Sequence, residues 1–272
     1  MEDLKALTES VCRIAREAGH FLKEERKGFR REAVQEKHAH DYVSYVDKES
    51  EKRIVAALRA LLPEAGFITE EGSALYHDES YCWVVDPLDG TTNYIHDNAP
   101  YCVSIALRSK QALLLGVVYE PSRDECFYAW RHGGAYMNGE RLRVSSVPCA
   151  EEAFVVIELP YNSGQYARTG EHLIHELYGR VAGIRMNGSA ALAMCYVAAG
   201  RFDAWLEAFI GKWDFSAAAL MVQEAGGRVT DFRGNDEFLE GHHIIATNGP
   251  LHPLFLGLVE GCLLYTSPSP RD

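Results

Sequence analysis

Apolar residues at Leu4, Leu7, Val11, Ile14, Ala18, Phe21 and Leu22 recur every three or four positions, so the chain is expected to open with an amphipathic helix that keeps Lys and Glu outside. A second helix is predicted over "KESEKRIVAALRALL", with Ile54, Leu58 and Leu62 inward and Pro63 as its stop. The period then shortens. "YCWVVD" reads as a strand, and "YCVSIALRSKQALLLGVVYEPSRDECFYAW" as three more, with turns at Arg108 to Lys110 and Pro121 to Asp124 and a Gly-rich turn "HGGAYMNGERLRVS" after them. This is a meander and not a βαβ run. Beyond it the pattern predicts a strand in "AFVVIELPY", a polar helix near "GEHLIHELYGRV", a small-residue helix "SAALAMCYVAAG" and a strand "FDAWLEA". A helix "DFSAAALMVQEAGG", strands "GRVTDF" and "HHIIATN", and a last helix "PLFLGLVEGCL" follow. No repeat or linker interrupts the series, so residues 1–262 are expected to form a single domain. "LLYTSPSPRD", residues 263–272, loses the periodicity and gathers Pro and Ser, which predicts a disordered tail of non-native origin.

Composition narrows the class. With 47% apolar and 24% charged residues, the 272-residue chain can bury a sizeable core. The apolar runs are far shorter than the roughly 20 residues that cross a bilayer, and "MEDLKALTES" has no basic segment followed by an apolar one, so a cytoplasmic protein is expected. Seven cysteines without CxxC spacing suit buried thiols better than disulfides or zinc. A net charge of -12 argues against nucleic acid or a membrane as partner.

The candidate chemistry sits in "WVVDPLDGTTNYIH". Asp86 closes an apolar run, Pro87 blocks a clean continuation of the sheet, and Asp89 returns three residues later, so a turn can aim both carboxylates at one point. Two like charges that close are costly unless a cation lies between them, and hard oxygen donors without His or Cys favour Mg²⁺ or Mn²⁺. Gly90, Thr91 and Thr92 add amides and hydroxyls at a helix start, where a phosphate oxygen can bind. Taken alone, Asp-x-x-Asp-Gly reads equally well as a turn former.

The string "DPLDGTTNYIH" resembles the first signature of the inositol monophosphatase family, and "WDFSAAALMVQEAGG" resembles its second. "DYVSYVD", "FITEEG", "NGSAA" and "AWLEAFIGKWD" fall in the family's order. The resemblance implies an α/β fold, the layered αβαβα sandwich of the inositol monophosphatase and fructose-1,6-bisphosphatase type. It implies two or three Mg²⁺ ions held by Glu70, Asp86, the Leu88 carbonyl, Asp89 and Asp214, with water activated at the metals attacking phosphorus in line. Glu70 and Thr91 match the residues that hold this water, and Asp47 the one that supports the threonine. Gly188, Ser189, Ala190 and Glu207 match contacts to the sugar or inositol hydroxyls. From local sequence alone, Asp47 and Asp214 could each be a helix cap, and the small residues could serve helix packing.

Some positions depart from the family. Asp97-Asn98-Ala99-Pro100 shifts a proline by one place, and "VIELPY" replaces a segment usually rich in Gly and Phe. Lys37, His38 and His40 occupy what is a mobile loop in the family; the two histidines, like His242 and His243, read as surface or structural groups. Thr92, where nucleotide 3'-phosphatases and histidinol phosphatases carry Lys, favours the inositol-phosphatase branch. A fructose-1,6-bisphosphatase or 3'-phosphoadenosine 5'-phosphate phosphatase is the competing enzyme. A regulatory binding protein is the competing class, because some relatives act on transcription complexes. A small-molecule phosphate ester is the expected partner, and a homodimer is expected from the resemblance.

Overall fold

The structure, a computed structural model, describes residues 3–30, 34–38, 41–159 and 163–266. Two long helices open the chain, α1 (Leu4–Gly28) and α2 (Tyr45–Leu61). Each end has a chemical cause. Asp3 accepts a hydrogen bond from the Ala6 amide at the start of α1, and Ser44 and Asp47 form a reciprocal capping box at the start of α2. Between the helices lies a small antiparallel ribbon of β1 (Gln35–His38) and β2 (Asp41–Val43), where no strands were expected. His40 and the His38 side chain lie outside what is described.

A seven-stranded sheet comes next, formed by β3 (Gly66–Thr69), β4 (Tyr81–Asp89), β5 (Cys102–Ser109), β6 (Leu113–Glu120), β7 (Glu125–Trp130), β8 (Gly134–Met137) and β9 (Glu140–Arg141) in sequential order. All its pairings are antiparallel except β3 with β4. The Gly-rich segment read as a turn is the β8–β9 hairpin, and Asn138 and Gly139 at its tip both have positive φ, as a tight Asn-Gly turn requires. The helix α3 (Thr91–Ile95) leaves the end of β4.

A second sheet has the order β11 (Gly183–Arg185), β10 (Phe154–Glu158), β12 (Ala204–Ala208), β14 (His243–Thr247) and β13 (Arg228–Asp231). Between the sheets lie α5 (Ala190–Ala198) and α6 (Lys212–Glu224), and outside the second sheet lie α4 (Ser163–Leu177) and α7 (His252–Thr266). The five layers run α1α2, sheet, α5α6, sheet, α4α7.

Three apolar clusters fill the gaps between layers. On β4, Trp83 and Val85 face α1 and α2, while Val84 faces α5 and α6, so alternate side chains of one continuous apolar run serve two cores. The same layering explains the small residues of α5 and α6. Every residue of α5 is buried, and a Cβ placed on Gly116 of β6 would lie 2.4 Å from the Ala217 carbonyl oxygen of α6. Bulk at these positions would force the layers apart.

Three expectations are corrected. The strand carrying the aspartates continues through Pro87 to Asp89, but its pairing with β5 slips between Asp86 and Asp89, as a residue without an amide proton demands. The helix α4 begins seven residues before the expected "GEHL" and takes Gly170 into its interior, where a Cβ would meet Leu159 at 2.4 Å. The last helix runs to Thr266, into the segment expected to lack structure, and residues 267–272 lie outside those described. Among the described residues six cysteines are free thiols, and no helix is long and apolar enough to cross a membrane.

Candidate functional site

A cleft of about 310 Å³ opens where β4, α3, the starts of α5 and α6, and the ends of β10 and β12 meet. The register slip beside Pro87 brings Asp86 and Asp89 to its floor. Asp214, in the first turn of α6, arrives from the opposite side, and one carboxylate oxygen from each of the three lies within 4.8 Å of the others. Each carboxylate is fixed from behind. An Asp86 oxygen (Oδ1) accepts from the Leu88 amide at 2.8 Å, and an Asp214 oxygen (Oδ2) accepts from the Gly211 amide at 3.0 Å. On Asp89, Oδ2 accepts from the Ser189 hydroxyl at 2.6 Å and the Ala191 amide at 2.8 Å. The N-capping geometry and the presentation of a carboxylate thus coexist at Asp214, where local sequence left them as alternatives.

Burial and mutual repulsion set the electrostatics. Asp86 and Asp214 are held well above the ordinary aspartate range, first by loss of solvent and then by neighbouring carboxylates, Glu70 and Asp89 among them. Burial likewise pushes Asp89 up to about 6 against the opposing hydrogen bonds from Ser189 and Ala191. Among the described residues, no lysine or arginine pairs with these three. Like charges, buried at Asp86 and Asp89 and half-buried at Asp214, with oxygen donors aimed at one point and no organic counter-ion, fit a hard divalent cation.

Glu70 follows the end of β3, held there by its amide bonding to the Val85 carbonyl at 3.2 Å, and lines the same cleft. Thr91 opens α3. Its hydroxyl lies 3.1 Å from an Asp47 oxygen (Oδ1) and 3.0 Å from the Leu88 carbonyl, so one acceptor takes its proton while its lone pairs remain for the cleft. Asp47 is buried behind it, and its other oxygen accepts from the Ser44 amide and hydroxyl at 2.8 and 2.6 Å. Burial raises its pKa, and these bonds oppose the rise. Capping and support of Thr91 are two faces of one carboxylate.

Gly90 precedes Thr91 with φ +91°, and a Cβ there would lie 3.0 Å from the Pro100 carbonyl oxygen and 3.1 Å from that of Gly188. Only glycine relieves both constraints. Thr92, Gly188, Ser189, Ala190 and Glu207 also line it, so every residue the resemblance assigned to the site borders the cleft except Asp47, which stands behind Thr91. His242 and His243 are spent on backbone, His242 against the Ile210 carbonyl and His243 accepting from the Phe209 amide at 3.0 Å.

Sequence reasoning missed four contributors. Asn93 ties the two sides of the cleft together, donating to the Pro100 carbonyl at 2.8 Å and the Asn187 carbonyl at 3.0 Å. Cys102 contacts Asp89, its sulfur 3.7 Å from Oδ2. Glu51, fully buried on α2, accepts from the Glu71 and Ser73 amides at 2.7 and 2.8 Å and so secures the turn that carries Glu70. Glu158, at the end of β10, lines the cleft beside Glu207. A glutamate on the inward face of an amphipathic helix was the one available signal for Glu51.

Comparison with known proteins identifies the family. Residues 3–264 match the inositol monophosphatase family. A protein of Pseudomonas aeruginosa named Nus factor SuhB is 44% identical over 243 residues, covering 88% of this chain and 90% of that protein, and its namesake from Escherichia coli is 39% identical over 239 residues, with the same coverage. Among solved structures, extragenic suppressor protein suhB from Bartonella henselae superposes with a TM-score of 0.88 at 36% identity, covering 94% of this chain and 99% of that one. An IMPase from Thermotoga maritima superposes with a TM-score of 0.85 at 32% identity, covering 94% and 98%.

Proposed function

The chain belongs to the inositol monophosphatase family, and from that premise we propose that it is a Mg²⁺-dependent phosphatase whose substrate is myo-inositol monophosphate or a related sugar phosphate. The convergence of the Asp86, Asp89 and Asp214 carboxylates at the floor of the cleft carries the proposal. Together with Glu70 and the Leu88 carbonyl they would hold Mg²⁺, which when bound lowers the pKa of water and offsets the charge of the phosphate.

The chain's own groups supply the rest. Glu70 and the Thr91 hydroxyl bracket a position for the attacking water, with Glu70 as proton acceptor and Asp47 holding the threonine hydroxyl in orientation. The backbone of Gly90, Thr91 and Thr92 at the start of α3 offers donors to phosphate oxygens. Gly188, Ser189 and Ala190 present a close-packed edge to the alcohol part of the substrate, and Glu207 accepts from its hydroxyls. In-line attack needs little else from the protein, since positioning and charge compensation dominate phosphoryl transfer.

The test is phosphate release from myo-inositol 1-phosphate, fructose 1,6-bisphosphate, 3'-phosphoadenosine 5'-phosphate and histidinol phosphate, with Mg²⁺ and then with EDTA or Li⁺. Mg²⁺-dependent, Li⁺-sensitive release is expected, and the best substrate chooses the branch. No release from folded, Mg²⁺-loaded protein overturns the proposal. The relatives named Nus factor favour a second reading, a binding role for this chain. Asp86→Asn separates the two, because it removes a carboxylate from the catalytic floor and leaves the outer surface unchanged.

A further inference from the structure

In the same cleft as the three aspartates, β10 and β12 run parallel, and their last paired residues are Glu158 and Glu207. Residues in register on adjacent strands project to the same face of a sheet, and like charges so placed repel. Both carboxylates line the cleft. The charges that act on Glu207 are all negative, those of Glu158, Asp214 and Asp89, and burial adds to them. Among the described residues, no hydrogen bond reaches the Glu207 carboxylate, and no cationic side chain pairs with either glutamate.

Glu158 is anchored on one side only. Its Oε1 accepts from the Asn187 amide at 2.6 Å and the Gly188 amide at 2.9 Å, which holds the loop leading to Ser189 and Ala190. Among the described residues, Oε2 has no partner. Two half-buried acids, each with an oxygen that no described residue bonds, therefore face the cleft where a single acid would suffice to bind a sugar hydroxyl. Against burial, the two amides do not keep Glu158 in the ordinary range, and it is pushed up to about 7. A ligand cation between the pair would relieve what the protein itself leaves uncompensated.

We propose that Glu158 and Glu207 together form a subsite for a protonated amine, so that among sugar and related alcohol phosphates the site favours those that also carry an ammonium group, such as amino-sugar phosphates. The proposal rests on the phosphatase reading only for the placement of the phosphate at the aspartates. A zwitterionic ligand then spans the cleft with its anion at the metal-binding floor and its cation at the glutamates. The exposed Leu159 and Met186 border the same cleft and offer apolar surface to a short carbon skeleton between the two charges. Neutral polyols are bound by Glu207 but gain nothing from Glu158.

The experiment is calorimetric titration of Mg²⁺-loaded protein at pH 7.5 with non-hydrolysable ω-aminoalkylphosphonates of two to six carbons, each matched with its ω-hydroxyalkyl counterpart. At one or more chain lengths the amine is expected to bind about tenfold tighter or better, in keeping with a charge-assisted contact. Glu158→Gln keeps an oxygen for the Asn187 and Gly188 amides, so the loop stays anchored while the charge is lost, and the amine preference should fall to about one. Equal affinities at every length, no binding by the amine series, or an unchanged preference in Glu158→Gln would each overturn the subsite. Phosphate release from the matching phosphate esters is scored separately. Amine preference without hydrolysis sinks the phosphatase reading alone, and hydrolysis without amine preference sinks the subsite alone.

Discussion

Without metal, the aspartate cluster should work against the fold, and Asp89→Asn should expose this as a gain in stability. Asp89 is buried, and its pKa rises from 3.8 to about 6. A raised carboxyl is disfavoured in its charged form in the native state. The cost is therefore absent below the unfolded pKa, grows between pH 3.8 and about 6, and is complete above that. A shift of about two units corresponds to about 3 kcal/mol at pH 7.5, and about half of that at pH 5. Asparagine keeps an oxygen for the Ser189 hydroxyl and Ala191 amide, so the hydrogen bonds that fix the side chain survive. In EDTA at pH 7.5 the variant should melt above the wild type, by up to about 6 to 12 °C at the usual two to four degrees per kcal/mol for a chain somewhat smaller than this. The gap should shrink at pH 5. Saturating Mg²⁺ should raise the wild-type melting temperature more than that of the variant. Thermal denaturation followed by far-ultraviolet circular dichroism, at both pH values and with EDTA or MgCl₂, reads all of this. A variant that melts below the wild type in EDTA, with an unchanged Mg²⁺ response, would refute the reasoning.

Other residues give simpler tests. Glu51→Ala strips the partner from two backbone amides, so urea titration should show a loss of about 3 kcal/mol, with Glu51→Gln falling between it and the wild type. Because the turn they secure carries Glu70, phosphate release by Glu51→Ala should drop even where the protein remains folded. Thr91→Val removes the hydroxyl aimed at the water and should lower kcat about 10²-fold, while Thr91→Ser should retain most of it; equal rates for both variants would remove Thr91 from the mechanism. Gly90→Ala forces a Cβ into the left-handed region against two carbonyl oxygens, and should cost about 2 kcal/mol by urea titration along with most of the turnover.

Much of this protein was legible in the order of its residues. Helices α1 and α2 follow from apolar spacing and capping chemistry, and the meander from short apolar runs broken by turn residues. The two signature strings also indicated Asp86, Asp89 and Asp214 as a group. Such features depend on neighbours within a few positions, which a linear reading captures. The start of α4 was not legible this way, since "SGQYART" offers a single large apolar residue to set a helical period.

Tertiary structure alone decided what lies between those groups. A strand that passes through Pro87 and slips its register, and not a turn that leaves the sheet, brings Asp86 and Asp89 together. The starts of α5 and α6 reach the same point only because their small residues let two sheets close on them. Glu51 carries no local signature beyond its place on the inward face of α2, and Glu158 carries none at all. One gains its role from amides about twenty positions along the chain, and the other from a strand whose last paired residue, Glu207, lies nearly fifty residues away. Local chemistry is written in sequence neighbours, whereas a buried charge takes its meaning from whatever the fold sets opposite it.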